Sequence, residues 1–260
     1  MKTVPAGNCA CAPDPLTHGG TPVPLWLAAF AERPLPTLDL AECRRLIVVA
    51  PHPDDETLGL GAMTTQLTAR GVDVHVVSVS DGGAAQPGVS VSDRLRMATI
   101  RRYEMGRAAR HLNVPSPISL GFPDGELTDH ENSLADTLVQ MLADGGPATW
   151  CAATWRGDGH PDHEAVGRAA SDACARTGAT LLEYPVLMWH WAHLADPAVP
   201  WTRAYSVPSP SWAMGRKRRA AQCYRSQLEP TDGESSPILP SFVLARLLAV
   251  GSAVGEVVFR

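Results

Sequence analysis

The sequence predicts an α/β fold in which a mostly parallel sheet is covered by helices on both faces within one domain. Three observations predict it. From Arg44 onward, apolar strand-like runs alternate with segments of helical periodicity. The strand-like runs are continuous rather than alternating, LIVVA at 46–50 being the clearest, as expected of strands buried on both faces. The two densest polar clusters, APHPDDE at 50–56 and GDGHPDHE at 157–164, each follow a predicted strand, where open parallel sheets hold their ligands.

The elements follow in order. Residues 1–23 are rich in Pro and Gly, which form neither a stable helix nor a ladder alone, so an N-terminal arm is expected before a single domain over 24–260. Strand 46–50 leads to a helix over 57–70 that Gly71 ends. A strand over 72–80, a long helix over 92–112, a short strand over 118–120 and a helix over 132–142 repeat the unit. A fourth strand spans 149–155, with its helix over 162–176, and a fifth spans 180–186. The resulting architecture is a Rossmann-like three-layer arrangement. Residues 187–211 are rich in Trp and Pro and too long for an ordinary connection, which marks them as a site-forming segment or lid. A basic helix is expected over 213–228 and a short one over 242–249, before a Val-rich end.

With 260 residues, 45% of them hydrophobic and 19% charged, the chain is long and apolar enough to bury a sizeable core, and no apolar run reaches membrane-spanning length. The net charge of −5, from 22 basic against 27 acidic residues, argues against a nucleic-acid binder or a polybasic membrane-surface protein. Six cysteines show no CxxC pair, and the close pair Cys9 and Cys11 carries no chemistry here. The N-terminus lacks the apolar core of a secretory signal, so a cytoplasmic location is expected. No G-x-S-x-G elbow and no G-x-G-x-x-G turn is present, which weighs against serine hydrolysis and nicotinamide chemistry.

Histidine with aspartate is a ligand set suited to zinc or a similar divalent ion when two imidazoles and one carboxylate converge. In the helix after the second cluster, His163, Val166, Ala170 and Cys174 fall on one stripe, so His163 heads the face that packs on the sheet. His52, Asp55 and His163 can supply three ligands from two loops, leaving Asp54 and His160 for proton transfer. Either cluster alone is also what turns and helix caps contain; both at one sheet edge favour a metal site.

APHPDDE at 50–56 with GHPDHEAVG at 159–167 resembles the signature pair of the PIG-L/LmbE-like family of zinc-dependent N-acetylglucosamine deacetylases. The resemblance spans about 44–228 in order, including RRYE at 101–104, GFPDG at 121–125 and KRRAAQCYRSQ at 217–227. It implies metal-dependent removal of an N-acetyl or N-acyl group from an amino sugar in a small-molecule glycoconjugate. By the same resemblance His52, Asp55 and His163 would hold Zn²⁺, with Fe²⁺ or another divalent ion as alternatives. Asp54 would be the general base, and His160 would stabilise the oxyanion or protonate the leaving amine. Asp162 suits a supporting role, since metal-bound imidazoles donate their other N–H to a carboxylate. A non-sugar amidase using the same site, and a non-catalytic sugar-binding protein on this fold, are the alternatives.

Around this centre, Arg101 lies on the inward stripe of its helix and could contact substrate or pair with Glu104. Asp124 suits a turn by local chemistry and a sugar-hydroxyl contact by resemblance. Asp158 stands where some sugar-deacetylating relatives carry a tyrosine, and is taken as a substrate contact. His190 could reach substrate from between Trp189 and Trp191, whose rings, with Trp201, suit either sugar stacking or packing. The run 216–219 reads as a solvated basic face.

Overall fold

The structure, a computed structural model, describes residues 20–84, 90–143, 145–193, 195–230 and 237–260. The expected arm therefore lies, through residue 19, outside the described residues, as do Cys9 and Cys11.

The elements are α1 (Val23–Glu32), β1 (Arg45–Ala50), α2 (Asp55–Ala69), β2 (Asp73–Ser80), α3 (Val91–Leu112), β3 (Ile118–Phe122), α4 (Glu131–Leu142), β4 (Thr149–Thr154) and α5 (Pro161–Thr177). They continue with β5 (Thr180–Tyr184), α6 (Met188–Trp191), β6 (Ala204–Val207), α7 (Ser211–Ala221), α8 (Arg225–Leu228), α9 (Ser241–Ala253) and β7 (Glu256–Phe259). The sheet order is β3-β2-β1-β4-β5-β7-β6. β1 to β5 are parallel, whereas β7 runs antiparallel to both β5 and β6.

The two-residue period of the strands divides the core. Leu46, Val48, Val74, Val76, Trp150 and Ala152 point into one layer with residues of α1, α2, α3, α7 and α9. Ile47, Val49, Val77, Val79, Cys151 and Ala153 point into the other, against α4 and α5. These are the expected three layers. His163, Val166, Ala170 and Cys174 are buried on α5, as the helical stripe required.

Three parts differ from expectation. Segment 187–211 is not one loop: it holds α6, a 3₁₀ turn and β6, whose four residues pair with the terminal β7. Strands this short give little periodicity to read. The helix expected over 213–228 breaks at 222–224 into α7 and α8. α1, also unforeseen, starts at a Val23-Pro24 dipeptide, and Pro is pre-organised for the first helical turn.

The run 216–219 is not a solvated face throughout. Lys217 is buried and donates to Glu256 Oε1 at 2.6 Å, and Arg216 donates to the His111 carbonyl. Glu256 in turn accepts from the Ala62 and Met63 N–H groups, just past Leu60, where α2 departs from helical φ/ψ. The strand at the chain's end thus satisfies the donors that this kink frees.

Strand order reverses between β1 and β4, and their following helices leave to opposite faces, α2 to one layer and α5 to the other. The loops diverge there and open a crevice at the carboxyl edge. Both histidine clusters flank it.

Candidate metal centre

His52 and Asp55 enter from the β1–α2 turn, and His163 from the first turn of α5. The Asp55 Oδ2 atom lies 3.3 Å from His52 Nδ1 and 3.4 Å from His163 Nε2. The ligand atoms of the three residues lie within 4.8 Å of one another. Metal–ligand bonds of about 2.0–2.1 Å in a tetrahedron separate ligands by roughly 3.3–3.4 Å, so the observed spacings fit such an ion.

The far side of each imidazole is also prepared. His163 Nδ1 is 2.8 Å from Asp158 Oδ2, and His52 Nε2 is 3.1 Å from both Asp124 Oδ1 and Asp162 Oδ2. A carboxylate behind each ring fixes the tautomer that turns the opposite nitrogen toward an ion. Burial opposes charge on His52, but Asp124, Asp162 and Asp55 outweigh it and raise its pKa well above the ordinary value. His163 is likewise raised, burial being outweighed by Asp55 and Asp158. Asp55 resists burial through His163 and His52 and stays ionised. Among the described residues, five aspartates, 54, 55, 124, 158 and 162, surround this centre against one arginine, Arg101. That excess of buried negative charge calls for a cation.

His52 with His160 and Asp162 forms a second group of possible ligands. Its donors are already engaged: both Asp162 oxygens accept backbone N–H groups, from Leu127 and Gly125, and His160 Nδ1 accepts the Asp162 N–H at 3.2 Å. The first group is the better fit.

Asp54 sits beside the ligands with its carboxylate accepting from Arg101 Nη2 at 3.1 Å. Burial lifts its pKa more than Arg101 lowers it, to about 7. A carboxylate poised there can take a proton near neutral pH and release it again. His160 is the N-cap residue of α5. Burial, with His163 and His52 nearby, lowers its pKa to about 4. Its ring is therefore neutral near pH 7, and because Nδ1 accepts from Asp162, the proton resides on Nε2.

The residues expected to touch substrate divide. Arg101 is buried and donates to the carbonyls of Pro53 (2.6 Å) and Gly82 (3.1 Å) as well as to Asp54; Glu104 instead accepts from Ser226. Asp124 backs His52 and accepts the Ala84 N–H at 2.6 Å; burial pushes its pKa up, but the bonds to His52 and Ala84 bring it down to about 2. Asp158 is fully buried, its oxygens taken by His163 and by the N–H groups of Val186, Leu187 and Met188. It backs the His163 ring and docks α6, and has no exposed surface for a substrate. Asp162 Oδ2 likewise lies against His52 Nε2, while the Asp162 N–H donates to His160 Nδ1.

His190 is buried, with Nδ1 2.8 Å from Arg246 Nη1. Trp189 and Trp201 pack edge-on or tilted with Trp26 and Phe30. Trp191 stacks on Trp155 and donates to the Asp158 carbonyl. Packing accounts for these rings. A cavity of about 680 Å³ lined by Trp26, Phe30, Leu35, Val199 and Trp201 shares no wall with the ligand cluster.

Sequence reasoning missed Glu56 and Tyr224. Glu56 Oε2 accepts the Asp54 N–H at 3.0 Å, and its Oε1 accepts from the Thr57 and Tyr224 hydroxyls. Glu56 stood inside the quoted motif and Tyr224 inside the quoted 217–227 run; the signal was there, but not the contact across 168 positions.

Among known proteins, residues 47–174 match the family described as PIG-L, GlcNAc-PI de-N-acetylase. The chain is 30% identical over 142 residues to a diacetylchitobiose deacetylase of Thermococcus kodakarensis, covering 53% of this chain and 51% of that protein. It is 29% identical over 186 residues to the 1D-myo-inositol 2-acetamido-2-deoxy-alpha-D-glucopyranoside deacetylase of Mycobacterium leprae, covering 58% of each. The chain thus spans only about half to three-fifths of these curated relatives. The crystal structure of an A40926 pseudoaglycone deacetylase shares the fold, with a TM-score of 0.63 and 23% identity over 83% of this chain and 96% of that one. The span that matches the PIG-L family holds β2 to β4, nearly all of β1 and every candidate ligand.

Proposed function

We propose that this protein is a metal-dependent hydrolase that removes an N-acetyl, or longer N-acyl, group from an amino sugar in a small-molecule glycoconjugate. The observation that carries the reading is the His52, Asp55 and His163 cluster with a raised-pKa carboxylate, Asp54, directly beside it. The family match and the amino-sugar deacetylases among the relatives support the substrate class.

A divalent cation held by His52, Asp55 and His163, which we take to be Zn²⁺, would supply the Lewis acidity that activates water and polarises the amide carbonyl. Asp54 takes the proton of the attacking water, and its pKa near 7 suits that exchange. His160 Nε2–H donates a hydrogen bond to the developing oxyanion as a neutral donor, and not as a cation. Arg101 holds the Pro53 carbonyl and the Asp54 carboxylate together, so the base does not drift from the ligands. The proton on Asp54 then passes to the leaving amine.

Asp124 and Asp162 keep His52 turned, and Asp158 does the same for His163. Among the described residues no helix is long and apolar enough to cross a membrane, and four buried cysteines are unpaired, which supports action in the reducing cytoplasm. The test is acetate release from a panel of N-acetylated sugar conjugates and non-sugar amides, with protein loaded in turn with zinc, iron(II) and cobalt. Turnover confined to the sugars supports the proposal; turnover of non-sugar amides alone, or none with any metal, contradicts it.

A further inference from the structure

Asp54 departs from what its position in the chain favours. It immediately precedes α2, where an aspartate ordinarily has extended backbone and accepts a first-turn N–H. Here φ is 128° and ψ −31°, and the side chain makes no capping bond. A non-glycine residue adopts that backbone only when its surroundings force it. The ordinary alternative is plain: with a negative φ, the carboxylate would swing onto the N–H groups of α2 and cap the helix.

Two groups oppose that swing. Arg101 grips the side chain and the preceding carbonyl, as described above. On the other side, the Glu56 carboxylate accepts the Asp54 N–H at 3.0 Å. Glu56 is itself buried, and among the described residues its hydrogen-bond partners are all neutral: the Asp54 N–H and the hydroxyls of Thr57 and Tyr224. A carboxylate buried without a cation in contact is expensive to keep, so its retention needs a return. Tyr224, buried at the break between α7 and α8, holds Glu56 from 168 positions further along the chain. Gln222, Cys223 and Tyr224 lie outside both helices, which places the phenol over the start of α2.

We infer that Glu56, fixed by the Tyr224 hydroxyl, is a positioning residue for Asp54: it holds the Asp54 N–H and thereby keeps the carboxylate off the helix cap and on Arg101 beside the metal ligands. The kinetic consequence rests on the hydrolase reading above; the conformational one does not. Glu56 acts through Asp54 and touches no substrate.

Crystal structures of the zinc-loaded wild type, Glu56→Met, Glu56→Gln and Tyr224→Phe test it directly. In Glu56→Met, which fills the volume without an acceptor for the amide, Asp54 takes a negative φ and its carboxylate bonds the first turn of α2. Glu56→Gln keeps an oxygen for the Asp54 N–H and preserves the positive φ. Should Glu56→Met not fold, Tyr224→Phe, which removes one hydroxyl, carries the test through displacement of Glu56 and loss of the Asp54–Arg101 contact. An Asp54 that stays at positive φ on Arg101 in both Glu56→Met and Tyr224→Phe overturns the inference, whatever the substrate proves to be.

With an acetylated sugar as substrate, Glu56→Met lowers kcat roughly 10- to 100-fold, as a misplaced catalytic group does, with KM and zinc content unchanged. Glu56→Gln recovers most of the loss. A uniform loss of zinc or of folded protein in all three variants marks a merely structural role and counts against the inference. A wild type that releases no acetate removes the hydrolase reading, while the Asp54 conformation in the variants still decides this one.

Discussion

Asp158→Asn isolates the carboxylate behind His163 with almost no change of volume. In the wild type, Oδ1 accepts the N–H groups of Val186 and Met188 at 3.0 and 2.9 Å, and Oδ2 accepts Leu187 N–H and His163 Nδ1–H at 2.9 and 2.8 Å. All those partners are donors, so an amide NH₂ on either side meets one that it cannot satisfy. The less damaging orientation puts the NH₂ at the Oδ1 position and leaves the Met188 N–H unpaired, at a cost of about 1–3 kcal/mol in a buried site. On the other side the bond to His163 survives but loses its charge, which weakens it by about 1 kcal/mol. The imidazole then becomes a poorer and less well-aimed ligand, and loss of such a partner lowers metal affinity roughly 10- to 100-fold. Zinc affinity measured by competition with a chromophoric chelator, alongside urea unfolding of the metal-free protein, reads the two effects separately. Unaltered zinc affinity in a folded Asp158→Asn protein would refute the assignment of Asp158 as the residue that orients His163.

Three further outcomes follow from the same geometry. Asp54→Gly should be more stable than Asp54→Ala by about 1 kcal/mol in urea unfolding, because only glycine adopts φ near 128° without strain; equal stability would remove the strain argument. Lys217→Met leaves Glu256 buried without its cation and should cost about 3–5 kcal/mol, whereas an exposed pair such as Arg225 with Glu229 should contribute under about 1 kcal/mol. Comparable thermal shifts for Lys217→Met and Arg225→Met would contradict this difference in burial. Glu183 is depressed because Arg156 and Arg203 outweigh the burial that would raise it. Its folded pKa lies below the unfolded value of 4.5, so its contribution is fully present above that pH and lost as the pH falls through the folded pKa. The stability gap between wild type and Glu183→Gln should therefore shrink below pH 4.5, and a gap that widens there would reverse the sign of the argument.

The parts of the fold that could be read in the sequence are those with long periodic signals. The run at 46–50 and the stripe from His163 to Cys174 each fix a direction, because burial on a sheet imposes a period that one chain displays alone. β6 and β7 do not, since four-residue strands acquire meaning only once they pair, and α7 with α8 looked continuous because Gln222 and Cys223 carry no breaker. In the site, the residue types of the two motifs pointed to a candidate metal group with a carboxylate beside it. Which carboxylate serves which ring is a matter of three-dimensional contact. Asp158 and Asp124 have the chemistry of substrate contacts but lie behind His163 and His52, because the β4–α5 loop, tied to the N–H groups of 186–188, and the 123–125 turn bring them there. Glu56 was in plain view within APHPDDE, yet the role inferred for it depends on Tyr224, which follows it in the chain only after ten further strands and helices.

The central claim, that one divalent cation is held by His52, Asp55 and His163, is tested most directly by anomalous diffraction from crystals of zinc-loaded protein. The account predicts a single zinc peak about 2.0–2.2 Å from His52 Nδ1, Asp55 Oδ2 and His163 Nε2, with His52 Nε2 still bonded to Asp124 and Asp162. A zinc ion coordinated instead by His52 Nε2, His160 and Asp162, or crystals of folded protein that take up no zinc, would contradict it.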